Sequence, residues 1–143
     1  IEQKELYDRV DDAVCAVKSA LEEGILPGGG VALYDKSFHL DTDGGPEEQR
    51  VANNVLFSAL RSPMNQIMEN AGYDVDEVIS EIFFDGTQGY DVKNNQYGDM
   101  IEMGIVDPTK VTKNALQNAV SVATTILSTN AIVTLARTYE SGE

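Results

Sequence analysis

Residues 22–33 read EEGILPGGGVAL, and they place one proline and three consecutive glycines between two segments with helical character. A turn after a helix needs one or two glycines, because glycine is required only where the backbone takes a positive φ. Three in a row indicate that another group approaches the backbone closely. Two interpretations stay open at this point: a glycine-rich connection between helices, or a backbone surface against which a ligand binds.

These glycines fit neither of the standard phosphate-binding motifs. A P-loop requires a lysine after its second glycine; Gly24 and Gly29 have the correct spacing, but Gly30 occupies the lysine position. The dinucleotide-binding motif requires a third glycine where this chain has Leu33, and it must follow a strand, whereas the segment before Gly24 has helical periodicity. The sequence therefore contains neither motif.

Apolar periodicity predicts a mainly α-helical domain. Apolar residues at spacings of three and four predict a first helix over residues 1–23, ended by Gly24. The apolar stripe of this helix consists of Leu6, Val10, Ala13, Val14, Val17 and Leu21. The segment ILPGGG after it is expected to be a loop. Further helices are predicted over residues 30–36, 46–60, 63–72 and 74–84.

The periodicity changes in GTQGYDVKNNQYGDM, residues 86–100. Tyr90 and Val92 alternate with polar neighbours, and residues 93–95 favour a turn, so the segment predicts a small β-hairpin. Asp107 and Pro108 then suit the N-cap and the first turn of a helix. The wide apolar surface after them predicts that this is the longest helix and that it is mostly buried. NAIVTLA, residues 130–136, is expected to form an edge strand.

The composition excludes several classes of function. Asp and Glu number 24 against 10 Lys and Arg, which gives a formal net charge of −14 and disfavours binding to nucleic acid or to anionic membranes. A phosphate ligand would need a metal ion or cations supplied from elsewhere. The single cysteine, Cys15, excludes an internal disulfide and a cysteine-rich zinc site, and the single histidine, His39, excludes the familiar catalytic triads.

The cellular context is predicted from the same features. A run of about 18 apolar residues, which a membrane-spanning helix needs, is not found in the sequence, and the cysteine content favours a reducing cytoplasmic location. The opening IEQKELYDRVDDAV lacks an initiator Met and is already helical in pattern, so we expect this chain to be part of a longer protein.

The candidate residues outside the glycine loop each have an ordinary structural explanation. Asp8 and Asp12 lie one turn apart on the polar face of the first helix, which fits a solvated acidic surface as well as a catalytic carboxylate. Asp107 is explained by helix capping, and Asp91 by a surface turn. Cys15 lies near the apolar stripe and is expected to be a small core residue, and the methionines are expected to fill the core.

Three segments, taken together and in order, resemble the group I chaperonins of the GroEL type. They are DRVDDAV at residues 8–14, EEGILPGGGVAL at 22–33, and GYDVKNNQYGDMIEMGIVDPTKVTKNALQNAVSVA at 89–123. The resemblance covers nearly the whole chain, and GGGVAL and VDPTKVT are particularly specific. It implies that residues 1–23 form a helix descending from the intermediate domain, and that residues 24–143 form the C-terminal half of the equatorial ATP-binding domain.

The resemblance implies an ATP-driven folding machine that requires Mg²⁺. Such a protein forms stacked rings of identical subunits, works with a small co-chaperonin, and encloses unfolded polypeptides. An alternative interpretation is a stand-alone helical interaction module, derived from a chaperonin but without ATPase activity. The sequence upstream of residue 1 would distinguish the two.

The resemblance also assigns residues to a nucleotide site. Gly29 matches a backbone contact to the ribose, and Asp107 matches the acidic residue that holds the ribose hydroxyls. Asp91 and Val92 match hairpin positions that meet the adenine, and Ile105 matches an apolar wall of the base pocket. Relatives often carry Asn at position 91, so an aspartate here keeps an acceptor but lacks the amide donor.

Two further residues match moving and catalytic parts of the family. Asp12 matches the carboxylate that positions the attacking water, and Gly24 matches the lower hinge. The phosphate-binding loop and the metal-ligating aspartate of the family lie in its N-terminal third, so the resemblance implies no metal ligand in this segment. Asn65 stands where some relatives carry an arginine that bridges two rings.

Overall fold

The computed structural model of this chain describes residues 2–82, 86–131 and 133. In chain order its elements are α1 (Glu2–Glu23), β1 (Ile25–Pro27), α2 (Val31–Ser37), α3 (Glu47–Asn70), α4 (Val75–Ser80), β2 (Gln88–Asp91), β3 (Gln96–Asp99), β4 (Val106–Pro108) and α5 (Thr109–Leu127). The predicted mainly α-helical class is confirmed. The chain divides into two compact units, residues 1–112 and 113–143.

Helix α1 spans Glu2–Glu23 and ends as predicted at a glycine, while residue 1 of the predicted helix lies outside the described residues. The Gly24 amide donates to the Ala20 carbonyl oxygen at 2.8 Å, and Gly24 has φ 84°, a left-handed conformation that favours glycine. The predicted apolar stripe exists, but no described residue of α1 is buried. Cys15 is exposed, so the expectation that it is a core residue is wrong. Periodicity shows which face of a helix is apolar, but burial requires another element packed on that face.

Helix α2 begins at the last of the three glycines and packs against α3. Gly30 is the N-cap of α2, with φ 81°, and a Cβ built on it would lie 2.8 Å from the backbone nitrogen of Met64 in α3. The contact continues one turn later, where the Arg61 guanidinium carbon lies 4.3 Å from the ring centroid of Tyr34. The absence of a side chain at Gly30 is therefore what permits this close approach of the two helices.

Helix α3 is one continuous helix of 24 residues, whereas the sequence predicted two helices separated before Pro63. A proline inside a helix removes one backbone hydrogen bond and costs about 3 kcal/mol. Leu60, Met64 and Met68 lie one turn apart on a single face of α3, and all three are buried. Burying three such side chains stabilises the helix by about 1.5–3 kcal/mol each, which exceeds the cost of Pro63.

Helix α4 is shorter than the predicted segment 74–84. Asp74 caps its N-terminus, because the carboxylate accepts hydrogen bonds from the amides of Asp76 at 3.0 Å and Glu77 at 3.2 Å. The helix ends after Ser80, where the Ile82 amide donates to the Ile79 carbonyl oxygen in a tighter 3₁₀-type turn. The end of the predicted helix, residues 83–84, lies outside the described residues.

The predicted hairpin is confirmed. Strands β2 and β3 pair in antiparallel register, with Tyr90 opposite Tyr97 and Asp91 opposite Gln96. The ring centroids of Tyr90 and Tyr97 lie 4.7 Å apart, within the range of favourable aromatic pairs. Asn95 closes the turn with φ 57°, a left-handed conformation that asparagine tolerates.

A second strand pair was not predicted. Strand β1, in the segment expected to be a loop, pairs antiparallel with β4, and Leu26 lies opposite Asp107. Asp107 is therefore in a strand and α5 begins at Thr109, so the prediction of Asp107 as the N-cap is wrong. Local sequence patterns favoured capping because they do not include a partner strand that lies far away along the chain.

The prediction for α5 was also wrong in length and in burial. Helix α5 has 19 residues, fewer than α1 with 22 or α3 with 24, and none of them is buried. Within the unit 113–143, α5 is the only element that the structure describes, so its wide apolar surface has no described element of that unit beside it. The predicted strand at residues 130–136 falls largely outside the described residues.

The core of the first unit joins α2, α3, α4 and the hairpin. Its buried members are Val31, Tyr34, Met64, Met68, Val78, Ile82, Tyr90 and Met100. The expectation that methionines fill the core is confirmed for Met64, Met68 and Met100, which are 1%, 2% and 1% exposed. None of the described helices combines the length and the apolar character needed to cross a membrane.

The packing of Gly30 generates a stability prediction. Gly30→Ala is expected to destabilise the chain by about 2–4 kcal/mol, because the new Cβ is strained at positive φ and collides with the backbone of α3. Gly72→Ala is a matched control, since Gly72 has φ 82° and open space around its Cβ position, and should cost only about 1 kcal/mol. Urea unfolding followed by far-UV circular dichroism measures both, and equal losses would contradict the collision with α3.

Candidate functional site

The glycine loop, residues 28–30, packs against three different parts of the chain. The Gly28 amide donates to the Ile105 carbonyl oxygen at 2.9 Å, and a Cβ on Gly28 would lie 3.1 Å from that carbonyl group. Gly29 has φ 66°, and its Cβ position lies 2.9 Å from the Met100 Cε. Together with the contact of Gly30 against α3, each glycine permits one close approach. The interpretation of this loop as a glycine-rich connection therefore has a geometric basis at all three glycines.

The pairing of β1 with β4 brings Asp107 and Ile105 to the glycine loop. Leu26 lies opposite Asp107, and the bond from Gly28 to Ile105 extends the pairing by one step beyond Pro27. Asp107 is exposed as a residue, yet partial burial of its carboxyl group raises the pKa above the ordinary range. The result is a partly buried carboxyl group and a half-buried apolar side chain beside a backbone that has no side chains.

Asp91 uses its carboxylate to shape the hairpin turn. Its Oδ1 accepts from the Lys93 amide at 2.9 Å and from the Asn94 amide at 3.3 Å, and its Oδ2 accepts from the Asn94 side-chain amide at 2.6 Å. The hydrogen bond from the Asn94 side chain is the main cause that lowers the pKa of Asp91, and the two backbone amides add to it. Both oxygens are therefore already engaged within the turn.

The hairpin and the segment before β4 rest on the same core. Val92 and Ile105 are both half-buried and both pack against the core cluster of the first unit. Met100 connects the two regions through its backbone, since its amide donates to the Thr87 carbonyl oxygen at 3.0 Å and its carbonyl oxygen accepts from the Ile105 amide at 2.8 Å. The structure thus holds five of the predicted residues on one framework: Gly29, Asp91, Val92, Ile105 and Asp107.

Asp12 lies apart from this framework. It is exposed on α1, twelve residues before Gly24, which corresponds to about 18 Å along the helix axis. The end of α1 is held to the framework near Gly24, because the Thr109 amide donates to the Gly24 carbonyl oxygen at 3.1 Å and Lys110 forms an ion pair with Glu22. This pairing lowers the pKa of Glu22 and raises that of Lys110.

The framework offers three kinds of group to a ligand. Val92 and Ile105 supply apolar contacts, Asp107 supplies an acceptor for hydroxyl groups, and Gly29 supplies accessible backbone. Over the described ranges of the chain, no three His, Cys, Asp or Glu side chains are grouped so that they could hold a metal ion.

Comparison with known proteins identifies the family. The family model described as TCP-1/cpn60 chaperonin family matches residues 2–137. The chain belongs to this chaperonin family. Chaperonin GroEL of Orientia tsutsugamushi is 48% identical to it over 137 residues, which is 94% of this chain, and the proteins of strains Boryong and Ikeda match equally well. The chain spans 25% of the length of each of these relatives.

The resemblance to the group I chaperonins, inferred from the three sequence segments, is thereby confirmed. The sequence did not indicate the strand pair β1–β4 or the special position of Met100. Pro27 in β1 and Pro108 in β4 are residues that local patterns assign to turns and helix starts, so neither segment was predicted as a strand. In the sequence, Met100 has no feature that separates it from the other core methionines. Both features depend on contacts between segments that are distant in sequence.

The turn around Asp91 generates a prediction about pH. The carboxyl of Asp91 should titrate below its ordinary value near 3.8, and Asn94→Ala should move the titration upwards, because the main stabilising hydrogen bond is lost. Since the folded-state pKa is lowered, this contribution to stability is present above the unfolded pKa and is lost as the pH falls through the lowered folded value.

Carbon-detected NMR titration of the Asp91 carboxyl measures the effect directly. Gln96→Ala is a suitable control, because Gln96 lies opposite Asp91 in the hairpin but supplies none of the hydrogen bonds found to the carboxylate. An unchanged midpoint in Asn94→Ala would contradict the assigned cause.

Proposed function

We propose that this chain is part of an ATP-dependent chaperonin subunit, whose intact form binds and hydrolyses ATP to fold unfolded polypeptides in a ring-shaped cage. The observation that carries the proposal is the pairing of β1 with β4. This pairing brings together Gly29, Ile105 and Asp107, three residues that the resemblance assigns to one nucleotide site. Family membership supports the proposal at the level of the chaperonin class.

Each residue of the framework has a proposed role in binding the nucleoside. The backbone of Gly29 lies against the ribose, and its φ of 66° favours glycine at this position. Asp107 accepts hydrogen bonds from the ribose hydroxyls, and Ile105 and Val92 provide apolar contacts to the adenine. The raised pKa of Asp107 reflects a carboxylate that is partly removed from water, and such a group gains more from a ligand hydroxyl than a fully hydrated one.

The role of Asp91 is proposed to be indirect. Its two oxygens hold the turn of the hairpin through Lys93 and Asn94, so the shape of the hairpin, rather than a free carboxylate, is what it presents to the base. A carboxylate oxygen accepts more than one hydrogen bond, and an additional bond from the exocyclic amino group of adenine is compatible with this arrangement. An asparagine would offer an amide donor at the same place.

The phosphate groups and the metal ion are proposed to be held mainly by another part of the subunit. The resemblance places the phosphate-binding loop and the metal-ligating aspartate of the family in a segment that this chain does not match. Bound Mg²⁺ supplies the positive charge that phosphoryl transfer needs to neutralise the phosphate oxygens. The formal charge of −14 on the present chain repels phosphate groups, so the positive charge that binds them must come from the metal ion and the other part of the subunit.

Asp12 and Gly24 are proposed to act together in hydrolysis. Asp12 orients the attacking water, and because it lies far along α1 from the framework, the helix must swing about a hinge to bring the carboxylate to the phosphate. Gly24 is suited to be that hinge, since it has φ 84° and joins the end of α1 to β1. The boundary between an intermediate-domain helix, residues 1–23, and an equatorial part, residues 24–143, is proposed on the same basis.

The intact protein is proposed to be a cytoplasmic ring of identical subunits that works with a small co-chaperonin. The residue at position 65 disfavours pairing of two rings by that route. Some relatives carry a bridging arginine there, whereas Asn65 is half-buried and its side-chain oxygen lies buried without a hydrogen-bond partner among the described residues. Such a side chain offers neither the charge nor the reach of arginine.

The role of Asp12 is tested by substitution in the full-length protein. Asp12→Ala should leave the binding of Mg-ATP near normal and slow hydrolysis by on the order of 10²-fold or more, because water is no longer aligned. Single-turnover hydrolysis measures the rate, and calorimetric titration measures binding. Asp8→Ala, one turn away on the same exposed surface, is the control and should hydrolyse at the wild-type rate. A wild-type rate in Asp12→Ala would remove Asp12 from the mechanism.

The 143-residue chain by itself is predicted to bind nucleotide poorly. We expect no measurable ATPase activity and an affinity for Mg-ATP no better than about 1 mM, since unscreened negative charge opposes a triphosphate at distances within about 8 Å. We also expect self-association, because α1 exposes a line of apolar side chains from Leu6, 64% exposed, to Leu21, 83% exposed.

Calorimetric titration, a phosphate-release assay and sedimentation of residues 1–143 test these expectations. Micromolar binding or sustained turnover would show that the nucleotide site is complete within this chain, and that the proposed contribution of another segment is wrong.

A further inference from the structure

Met100 lies between the glycine loop and the hairpin. Its Cε lies 2.9 Å from the Cβ position of Gly29, and among the described residues, apart from those adjacent to Gly29, no other atom lies within 4 Å of that position. Its Cγ and Sδ both lie 2.8 Å from the Cβ position of Gly89 in β2. One side chain thus touches both glycines in places where any side chain on them would collide with it.

The backbone of Met100 reinforces this position. Its amide is bonded to Thr87, just before β2, and its carbonyl oxygen is bonded to Ile105, just before β4. Asp99 fixes the turn that presents Met100, since its carboxylate accepts from the amides of Ile101 at 2.8 Å and Glu102 at 3.0 Å. Residue 100 is therefore held from both sides before its side chain makes any contact.

We propose that Met100 is a positioning residue that sets the separation between the glycine loop and the β2–β3 hairpin, and thereby the affinity for the adenosine part of the nucleotide. This inference rests on the proposed function, because it takes the glycine loop as the ribose side and the hairpin as the adenine side of one site. Met100 itself lies beneath the site, 1% exposed, and acts through the two backbones it separates.

The length and shape of methionine explain why this residue type fits. Its unbranched chain extends past Gly89 with Cγ and Sδ and reaches Gly29 with Cε. Leucine has a similar volume but ends one atom earlier, so it keeps the contact with Gly89 and loses the one with Gly29. Alanine removes both contacts and leaves a cavity into which the two backbones can shift.

Met68 provides a matched control within the same core. It is 2% exposed and belongs to the same cluster as Met100, so its truncation removes a comparable amount of buried surface. None of the atoms found nearest to the Cβ positions of Gly29 and Gly89 belongs to Met68. A loss of stability without a loss of positioning is therefore expected from Met68 variants.

The experiment compares Met100→Ala, Met100→Leu, Met68→Ala and Met68→Leu in the full-length protein. The half-saturating ATP concentration and the maximal rate are measured separately in single-turnover hydrolysis, and ADP binding is measured by calorimetry. Met100→Ala should raise the half-saturating concentration by about tenfold, since a displacement near 1 Å weakens contacts that depend on orientation. Met100→Leu should raise it by about threefold, and the maximal rate should stay within about twofold, because Asp12 and its water are unaffected.

The Met68 variants should lose thermal stability to a similar extent and keep the wild-type half-saturating concentration. A rise in Met68→Ala equal to that in Met100→Ala would reduce the effect to general loosening of the core and overturn the proposal. Wild-type values in both Met100 variants would overturn it as well. If Met100→Ala fails to fold, the comparison of Met100→Leu with Met68→Leu decides by the same criteria.

A second variant tests the contact itself. Gly89→Ala should raise the half-saturating concentration strongly in the wild-type background, because the new methyl group collides with Met100 and with Val31. In the Met100→Ala background the same change should have a smaller effect, since the Cγ and Sδ atoms that collide with the new methyl group are absent and only the collision with Val31 remains. Equal effects in both backgrounds would count against Met100 as the spacer. Failure of the wild-type protein to bind Mg-ATP would instead overturn the proposed function, which the Met100 variants alone cannot do.

Discussion

The backbone pairing of β1 with β4 is the contact on which the arrangement of the candidate site depends. These short strands flank most of the first unit in sequence, and bringing them together requires closing the long segment between them, with a cost in conformational entropy that grows only slowly with length. The segment supplies the compensation, because it contains the core of α2, α3, α4 and the hairpin. The hydrogen bond from the Gly28 amide to the Ile105 carbonyl oxygen continues this pairing, so the glycine loop is held beside the segment that leads into β4.

The three glycines then act as points of contact between separate parts of the molecule. Gly28 admits the backbone before β4, Gly29 admits the end of Met100, and Gly30 admits the backbone of α3. The absence of side chains at these three positions permits tight packing of the loop. In the proposed nucleotide site, this packing would keep the separation of the walls constant, which oriented binding of a nucleoside requires.

The two carboxylates on this framework have opposite pKa shifts, and the causes indicate different roles. Hydrogen bonds within the turn lower the pKa of Asp91, so its charge is used to stabilise the hairpin. Partial burial raises the pKa of Asp107, whose place in β4 was fixed by strand pairing and not by helix capping. In an acidic chain, the surroundings of each carboxylate decide its role, because the sequence alone gives both the same charge and the same ordinary pKa.

The sequence by itself determined the helical class, the end of α1, the hairpin and the chaperonin family, because these depend on periodicity, turn residues and motifs that are local in the chain. Tertiary structure decided the continuity of α3 through Pro63, where burial of Leu60, Met64 and Met68 exceeds the penalty of the proline. It also decided that Cys15 is exposed, that Asp107 belongs to a strand, and that Met100 spans two glycines. The physical reason is the same in each case. The free energy that stabilises these features comes from contacts between segments distant in sequence, and a local pattern does not show which distant segment packs against it.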